Sequence, residues 1–128
     1  MANIPNDLQY TEEHEYIRKA KDGNAEIGIT DYAQGELGDV VFVNLPKPGD
    51  ALTAHQVFGT IEAVKAVADL YAPLAGTVVE VNGALDADPA VVNRDPYGDG
   101  WMVKLRLANP ADLDSLLGAD AYRAHIGG

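Results

Sequence analysis

The side chain in this sequence best suited to chemistry is a lysine set among small apolar residues. In IEAVKAVADL, residues 61 to 70, Lys65 stands between Val64 and Ala66, with acid nearby at Glu62 and Asp69. A lone amine in this setting either solubilises an exposed element or is presented to another protein for modification; an amide at its nitrogen would remove the charge. The other candidates are poorer. Cysteine is absent, which excludes thiol nucleophiles, disulfides and thiolate zinc sites. His14, His55 and His125 are widely separated and have no cysteine companions, so metal binding is not expected. Ser115, the only serine, lies in a Leu-rich run without a Gly-x-Ser-x-Gly elbow. The acidic stretches LDADP and DPYGDG lack the alternating ligands and closing glutamate of a calcium loop and read as solvated turns. Neither a phosphate-cradling loop nor a dinucleotide fingerprint occurs. The solvating and the modified lysine both remain open at this point.

The elements around the lysine narrow the choice. EYIRKAKDGNAEIGIT gives two strands around an Asp22-Gly23 hairpin signal. TDYAQGELG predicts a short helix, capped by Thr30 or Asp31 and stopped by Gly38. DVVFVNL predicts a buried strand closed by PKPGD. Residues 38–44 (GDVVFVN) and 76–82 (GTVVEVN) share five of seven residues at an offset of 38, and each copy runs into a turn-rich segment, which implies internal pseudo-symmetry. Local propensity around Lys65 is divided between helix and strand. Two strand units related by a pseudo-twofold require the connection between them to turn back near its middle, close to Lys65. A hairpin tip follows, and with neither Gly nor Asn available its expected geometry is type I. WMVKLRL predicts a half-buried strand with Trp101, Val103, Leu105 and Leu107 on one face and Met102, Lys104 and Arg106 on the other. NPADLDSLLG predicts a helix with Asn109 as cap, Pro110 at its first position and a Leu113, Leu116, Leu117 stripe; DAYRAHI predicts a second short helix.

The 128 residues suit one domain, and 47% hydrophobic content is enough for a core. A net charge of −11 argues against nucleic acid as partner. The start, MANIPNDLQY, lacks signal and transit patterns, and no apolar run approaches spanning length, so no membrane role and a cytoplasmic location are expected.

Four stretches in order, YTEEHEYI, GITDYAQGELGDVVFVNLPKPGD, GTIEAVKAVADLYAPLAGTVVEVN and NRDPYGDGWMVKL, resemble the H-protein family of the glycine cleavage system from about Tyr10 to the end. The family carries lipoic acid on the lysine of an E-S-V-K-A motif. Here Glu62-Ala63-Val64-Lys65-Ala66 matches it with Ala63 in place of serine, and Tyr16 stands where the family usually has tryptophan. The resemblance implies a mainly β fold, a flattened barrel-sandwich hybrid of two small antiparallel sheets with pseudo-twofold symmetry and short C-terminal helices. It implies a single lipoyl-carrier domain over 1–128, with a core of about 10–108 and helices over about 110–126. It implies lipoate in amide linkage to Lys65, which takes the net charge from −11 to −12, and a motif (Glu62, Ala63, Val64, Ala66) read by a lipoate ligase or a lipoyl/octanoyl transferase.

Further implied is a carrier without catalytic residues of its own, most simply a monomer. Its arm is reductively aminomethylated by glycine decarboxylase, passes the methylene group to tetrahydrofolate on the aminomethyltransferase, and is reoxidised by dihydrolipoamide dehydrogenase. The resemblance also puts Glu15, Asp69 and His14 beside a cleft that shelters the loaded arm. A biotin carrier is disfavoured because Val64 and Ala66, not methionines, flank the lysine. A lipoyl domain of a 2-oxoacid dehydrogenase is disfavoured by the chain's organisation. An H-like protein that relays or stores lipoyl groups uses the same lysine and is the alternative reading.

Overall fold

A computed structural model describes residues 3–19 and 24–127, so the Asp22-Gly23 turn lies outside the described residues. Strands β1 (Gln9–Tyr10), β2 (Glu15–Lys19) and β3 (Ala25–Ile29) form an antiparallel run that continues through β9 (Val103–Leu107) and β8 (Gly76–Val81) to β5 (Ala51–Leu52). A separate antiparallel sheet has the order β4 (Val40–Asn44), β6 (Val57–Ala63), β7 (Val67–Tyr71). The fold is therefore mainly β with two antiparallel sheets, as expected, although among the described residues they are unequal, six strands against three. The inward residues of both, among them Ile17, Ile27, Val43, Ile61, Val78 and Leu105, meet in one core. That burial is the main stabilising term of such a fold.

The two copies of the repeat fall one in each sheet, as β4 and β8. Each carries an irregularity of register at the same place, between Val40 and Phe42 in β4 and between Val78 and Glu80 in β8, again 38 residues apart. A bulge kinks a strand and re-aims its side chains. In β4 it turns Val41 and Phe42 to solvent, so DVVFVNL is not the buried strand that its composition suggests; only Val40 and Val43 reach the core.

Helix α1 (Asp31–Leu37) is capped as its sequence predicts. Thr30 Oγ1 accepts from the Ala33 N–H at 3.2 Å, and Gly38 ends the helix at a φ of +81°, a conformation that favours glycine. Two four-residue helices, α2 (Ala84–Ala87) and α3 (Val91–Arg94), occupy the stretch before β9. The expected alternation of WMVKLRL holds only from Val103, where β9 begins; Met102, one residue earlier, is buried rather than outward.

Asn109 caps the next helix as predicted, accepting from Ala111 N–H at 3.2 Å. That helix is 3-10 rather than α, spans only Pro110–Ser115, and buries Leu113 alone. Leu116 turns extended, and Leu117 exchanges backbone hydrogen bonds with Tyr10 at 2.8 and 2.9 Å. Helix α4 (Ala119–His125) then lays Tyr122 against Tyr10, ring centroids 4.7 Å apart and nearly parallel, in a small second core with Leu8, Tyr16 and Ala119.

Candidate functional site

Lys65 lies in the turn between β6 and β7, the hairpin tip that the repeat predicts. The Ala63 N–H donates to Ala66 O at 2.9 Å across Val64 and Lys65. Among the described non-glycine residues only His14 and His55 have positive φ, so the turn is neither of the primed types nor type II. Lys65, Val64, Ala66 and Glu62 are exposed, and Ala63 is half-buried.

The turn is hung on the corner between α1 and β4. The Lys65 N–H donates to Leu37 O at 3.3 Å, and the Val64 N–H donates to Asp39 O at 2.9 Å. Between these two carbonyls lies Gly38. A Cβ on it would stand 3.2 to 3.4 Å from Cγ, Cδ and Cε of Lys65, so the aliphatic stem of the lysine lies over a bare backbone. On the outer face of the hairpin sheet Phe42, Glu62 and Val67 share one cross-strand row. With Val41 at 58% exposure, Phe42 at 48%, Val64 at 72% and Val67 at 67%, an apolar strip borders the lysine.

Beside the hairpin, between β6, β7, α1 and the β1–β2 turn, is a cleft of about 250 Å³. Ile29, Leu37, Ile61 and Leu70 give it apolar walls, and His14, Glu15 and Asp69 line it together. They do so in different states. Glu15 is only 2% exposed; Thr11 Oγ1 donates to its Oε1 at 2.8 Å and the Tyr71 N–H to its Oε2 at 3.3 Å. Burial outweighs these two donors and pushes its carboxyl up to about 8. Asp69 is exposed on the edge strand β7, opposite Thr60.

His14 sits at a φ of +72°, its Nδ1 2.9 Å from the Tyr122 hydroxyl, and burial, with His125 next in effect, lowers its pKa. Burial raises Tyr122 to about 12, so its hydroxyl stays protonated between His14 and Thr30 Oγ1, the latter at 2.7 Å. The other two histidines also have protein partners: His125 Nε2 lies 3.1 Å from Glu12 O and His55 Nδ1 lies 3.5 Å from a Glu13 oxygen. Among the described residues no three His, Cys, Asp or Glu gather as a metal site.

Sequence reasoning missed Thr11, which binds the Glu15 carboxylate and also accepts from its N–H at 3.1 Å. A Thr and a Glu four apart between two short strands form the only sequence signal, and it is weak. It also missed Asn93 of α3. The Asn93 Nδ2 group donates to Gly38 O at 2.8 Å and to Gln34 Oε1 at 2.9 Å, while its Oδ1 accepts from Val40 N–H at 2.8 Å.

A two-sheet β domain that exposes one lysine on a stapled turn, next to a cleft with a buried carboxyl, has the build of a carrier module. The family model described as "Glycine cleavage H-protein" matches residues 8–127. A glycine cleavage system H protein of Chlorobium limicola is 60% identical over 126 residues, covering 98% of each chain. That of Bacteroides fragilis is 56% identical over 124 residues, 97% of this chain and 98% of that one. The crystal structure of a glycine cleavage system H protein from Mycobacterium marinum superposes with a TM-score of 0.90 at 41% identity, covering 98% of this chain and all of that one. The chain belongs to the glycine cleavage H-protein family, whose members are non-catalytic, lipoyl-bearing carriers of that system. No helix among the described residues is long and apolar enough to cross a membrane.

Proposed function

We propose that Lys65 carries lipoate in amide linkage and that the cleft beside it receives the end of the arm. The observation that carries this reading is the juxtaposition of an exposed amine on a stapled turn with an apolar-walled cleft holding a buried carboxyl. The residues present suit the group: apolar walls for a hydrocarbon arm, and Glu15 and Asp69 for an amine at its end. When bound, lipoate supplies the dithiolane, the seat of group transfer and redox change.

The chain's own residues bind and exclude water. Glu15, held up near 8, is mostly protonated at neutral pH. A protonated amine entering the cleft favours its ionised form, so the carboxyl releases its proton to solvent and the ion pair forms away from bulk water. The Thr11 hydroxyl and the Tyr71 N–H already point at the two carboxylate oxygens and hold that state without rearrangement. His14, kept neutral by burial, adds no competing charge. Asp69 closes the rim.

The partners we assign are glycine decarboxylase, the aminomethyltransferase and dihydrolipoamide dehydrogenase, with a lipoate ligase or a lipoyl/octanoyl transferase as modifying enzyme. A modifying enzyme has to reach the lysine nitrogen itself, so it must cover Glu62, Ala63, Val64 and Ala66 and the apolar strip beside them. Intact mass of the protein from its native host tests the proposal. A lipoyl addition mapped to the peptide containing Lys65 supports it, and an unmodified Lys65 in an actively glycine-cleaving host overturns it.

A further inference from the structure

We infer that Asn93 is a positioning residue for Lys65, acting through the backbone of the α1–β4 corner; the functional weight of this inference rests on Lys65 being the attachment site. Three successive carbonyls of the corner each accept from a different source. Leu37 O takes the Lys65 N–H, Gly38 O takes the Asn93 side chain, and Asp39 O takes the Val64 N–H. The outer two hold the lysine turn, and the middle one is held from the opposite side by Asn93.

The middle residue is a glycine at a φ of +81°, the residue type with the widest choice of backbone angles. Nothing in its own side chain fixes the corner. Asn93 supplies the missing constraint: its Nδ2 hydrogens go to Gly38 O and Gln34 Oε1, and its Oδ1 takes the Val40 N–H. Its amide thus spans the last turn of α1, the corner and the first residue of β4. The Val40 N–H shares its peptide plane with Asp39 O, so Oδ1 fixes the plane that accepts from Val64. The hold on Gly38 O ties that plane to the one before it, in which Leu37 O lies and whose Gly38 N–H donates to Gln34 O at 3.0 Å.

The consequence reaches the lysine side chain, since its stem lies on the bare backbone of Gly38. The corner therefore sets both the height of the turn and the direction in which the stem leaves it. Leu37, whose carbonyl holds Lys65, also lines the cleft. One hydrogen-bonded corner thus fixes the root of the arm relative to the place where its end is received. Asn93 does not line the cleft, and its hold on the lysine turn runs through the main chain of the corner.

The test is amide hydrogen exchange on the unmodified protein, comparing Val64 and Lys65 with Ile27 and Leu105 of the core. In Asn93→Ala the two turn amides should exchange about tenfold faster relative to the core amides, the size expected for loss of one well-formed hydrogen bond. Asn93→Asp keeps the acceptor for Val40 N–H, loses the donors to Gly38 O and Gln34 Oε1, and should loosen the same two amides even if the alanine variant folds poorly. Val103→Ala, a core truncation remote from the corner, should lower the melting temperature without that selective change.

A second readout separates presentation from stability: with a purified lipoate ligase, Asn93→Ala should lower kcat for acylation several-fold at nearly constant KM. The inference is overturned if Asn93→Ala and Asn93→Asp leave Val64 and Lys65 as protected as the parent, or if Val103→Ala exposes them equally. Absence of acylation in the parent protein would sink the carrier assignment, while the exchange data, which need no acyl group, still decide the role of Asn93.

Discussion

Glu15 combines near-complete burial with two aligned donors, and its ionisation links folding to the chemistry of the cleft. Its carboxyl titrates near 8 in the fold against an ordinary 4.5. The sign follows from proton counting. Below about 4.5 both folded and unfolded chains hold the proton; between 4.5 and 8 only the folded chain does; above 8 neither does. The contribution of Glu15 is therefore fully present at low pH and is lost as pH rises toward 8, by an amount on the order of 5 kcal/mol for a shift of that size. Glu15→Gln should remove that slope and be more stable than the parent at pH 8, as read from denaturation midpoints at pH 5, 6.5 and 8. An unchanged slope would mean that the carboxyl titrates normally. For the arm, Glu15→Gln with Asp69→Asn keeps the shapes and removes the charges. We expect this pair to leave acylation intact while the loaded protein, isolated from its transferase, releases ammonia and formaldehyde several-fold faster. Release at the parental rate would acquit both carboxylates. Neither Glu15 nor Asp69 is distinguishable in the sequence from the other eighteen acids except through the family resemblance, because what separates them is the burial of Glu15 and a cleft shared by both, which arise only after β2, β7 and α1 have packed. The hairpin tip at Lys65 was legible for the opposite reason: its setting is local, one amine among small residues close to the middle of the connection between two copies of a repeat.

At the scale of elements, the hairpin tip and the α1–β4 corner form one device, and Gly38 is its least replaceable residue. Alanine there meets two costs. Its backbone would be held at a φ of +81°, which costs about 1–3 kcal/mol for a residue with a Cβ, and the new methyl would lie 3.2 Å from the Lys65 stem. Gly38→Ala should therefore lower stability by that amount and also slow acylation, whereas Gly35→Ala, in α1 with open space at its Cβ, should do neither and should stabilise slightly. Thermal melts and acylation rates of the two variants decide it; equal behaviour would show that the corner does not matter to the lysine. The sequence marks Gly38 as a helix stop, and Thr30 and Gly38 do bracket α1 by local capping chemistry. Its second role, as a floor for Lys65 across 27 residues of chain, has no local signature. The same limit explains β4. Composition marks Val41 and Phe42 as core residues, but the bulge that turns them outward depends on pairing with β6. It also applies to Pro110–Ser115, where the Asn-Pro cap was legible, but the helix stops before Leu117, which pairs with Tyr10 on a strand distant in sequence.

At the scale of the whole molecule, a carrier that visits several enzymes has to be recognised by its surface as well as by its arm. The surface is strongly acidic, with a net charge of −11, and its apolar strip of Val41, Phe42, Val64 and Val67 borders the lysine. Acidic fields steer encounter with basic surfaces, and apolar strips hold the complex once formed. Lys65→Arg separates these contributions from the arm. Arginine keeps the charge and a long aliphatic stem to lie over Gly38, but its guanidinium stays protonated and takes no acyl group. Since the side chain is exposed, the melting temperature should stay within about 1 °C of the parent. Glycine decarboxylation and exchange supported by the variant should be abolished. Its docking surface is unchanged, so the variant added in excess should compete with the lipoylated parent for glycine decarboxylase, raising the apparent KM for the carrier while leaving kcat alone, and the inhibition should weaken as salt is raised from low to physiological strength. If the variant supports turnover, Lys65 is not the attachment site. If it is inactive and also fails to inhibit, recognition resides in the arm, and the acidic, apolar-striped surface is not what the enzyme reads.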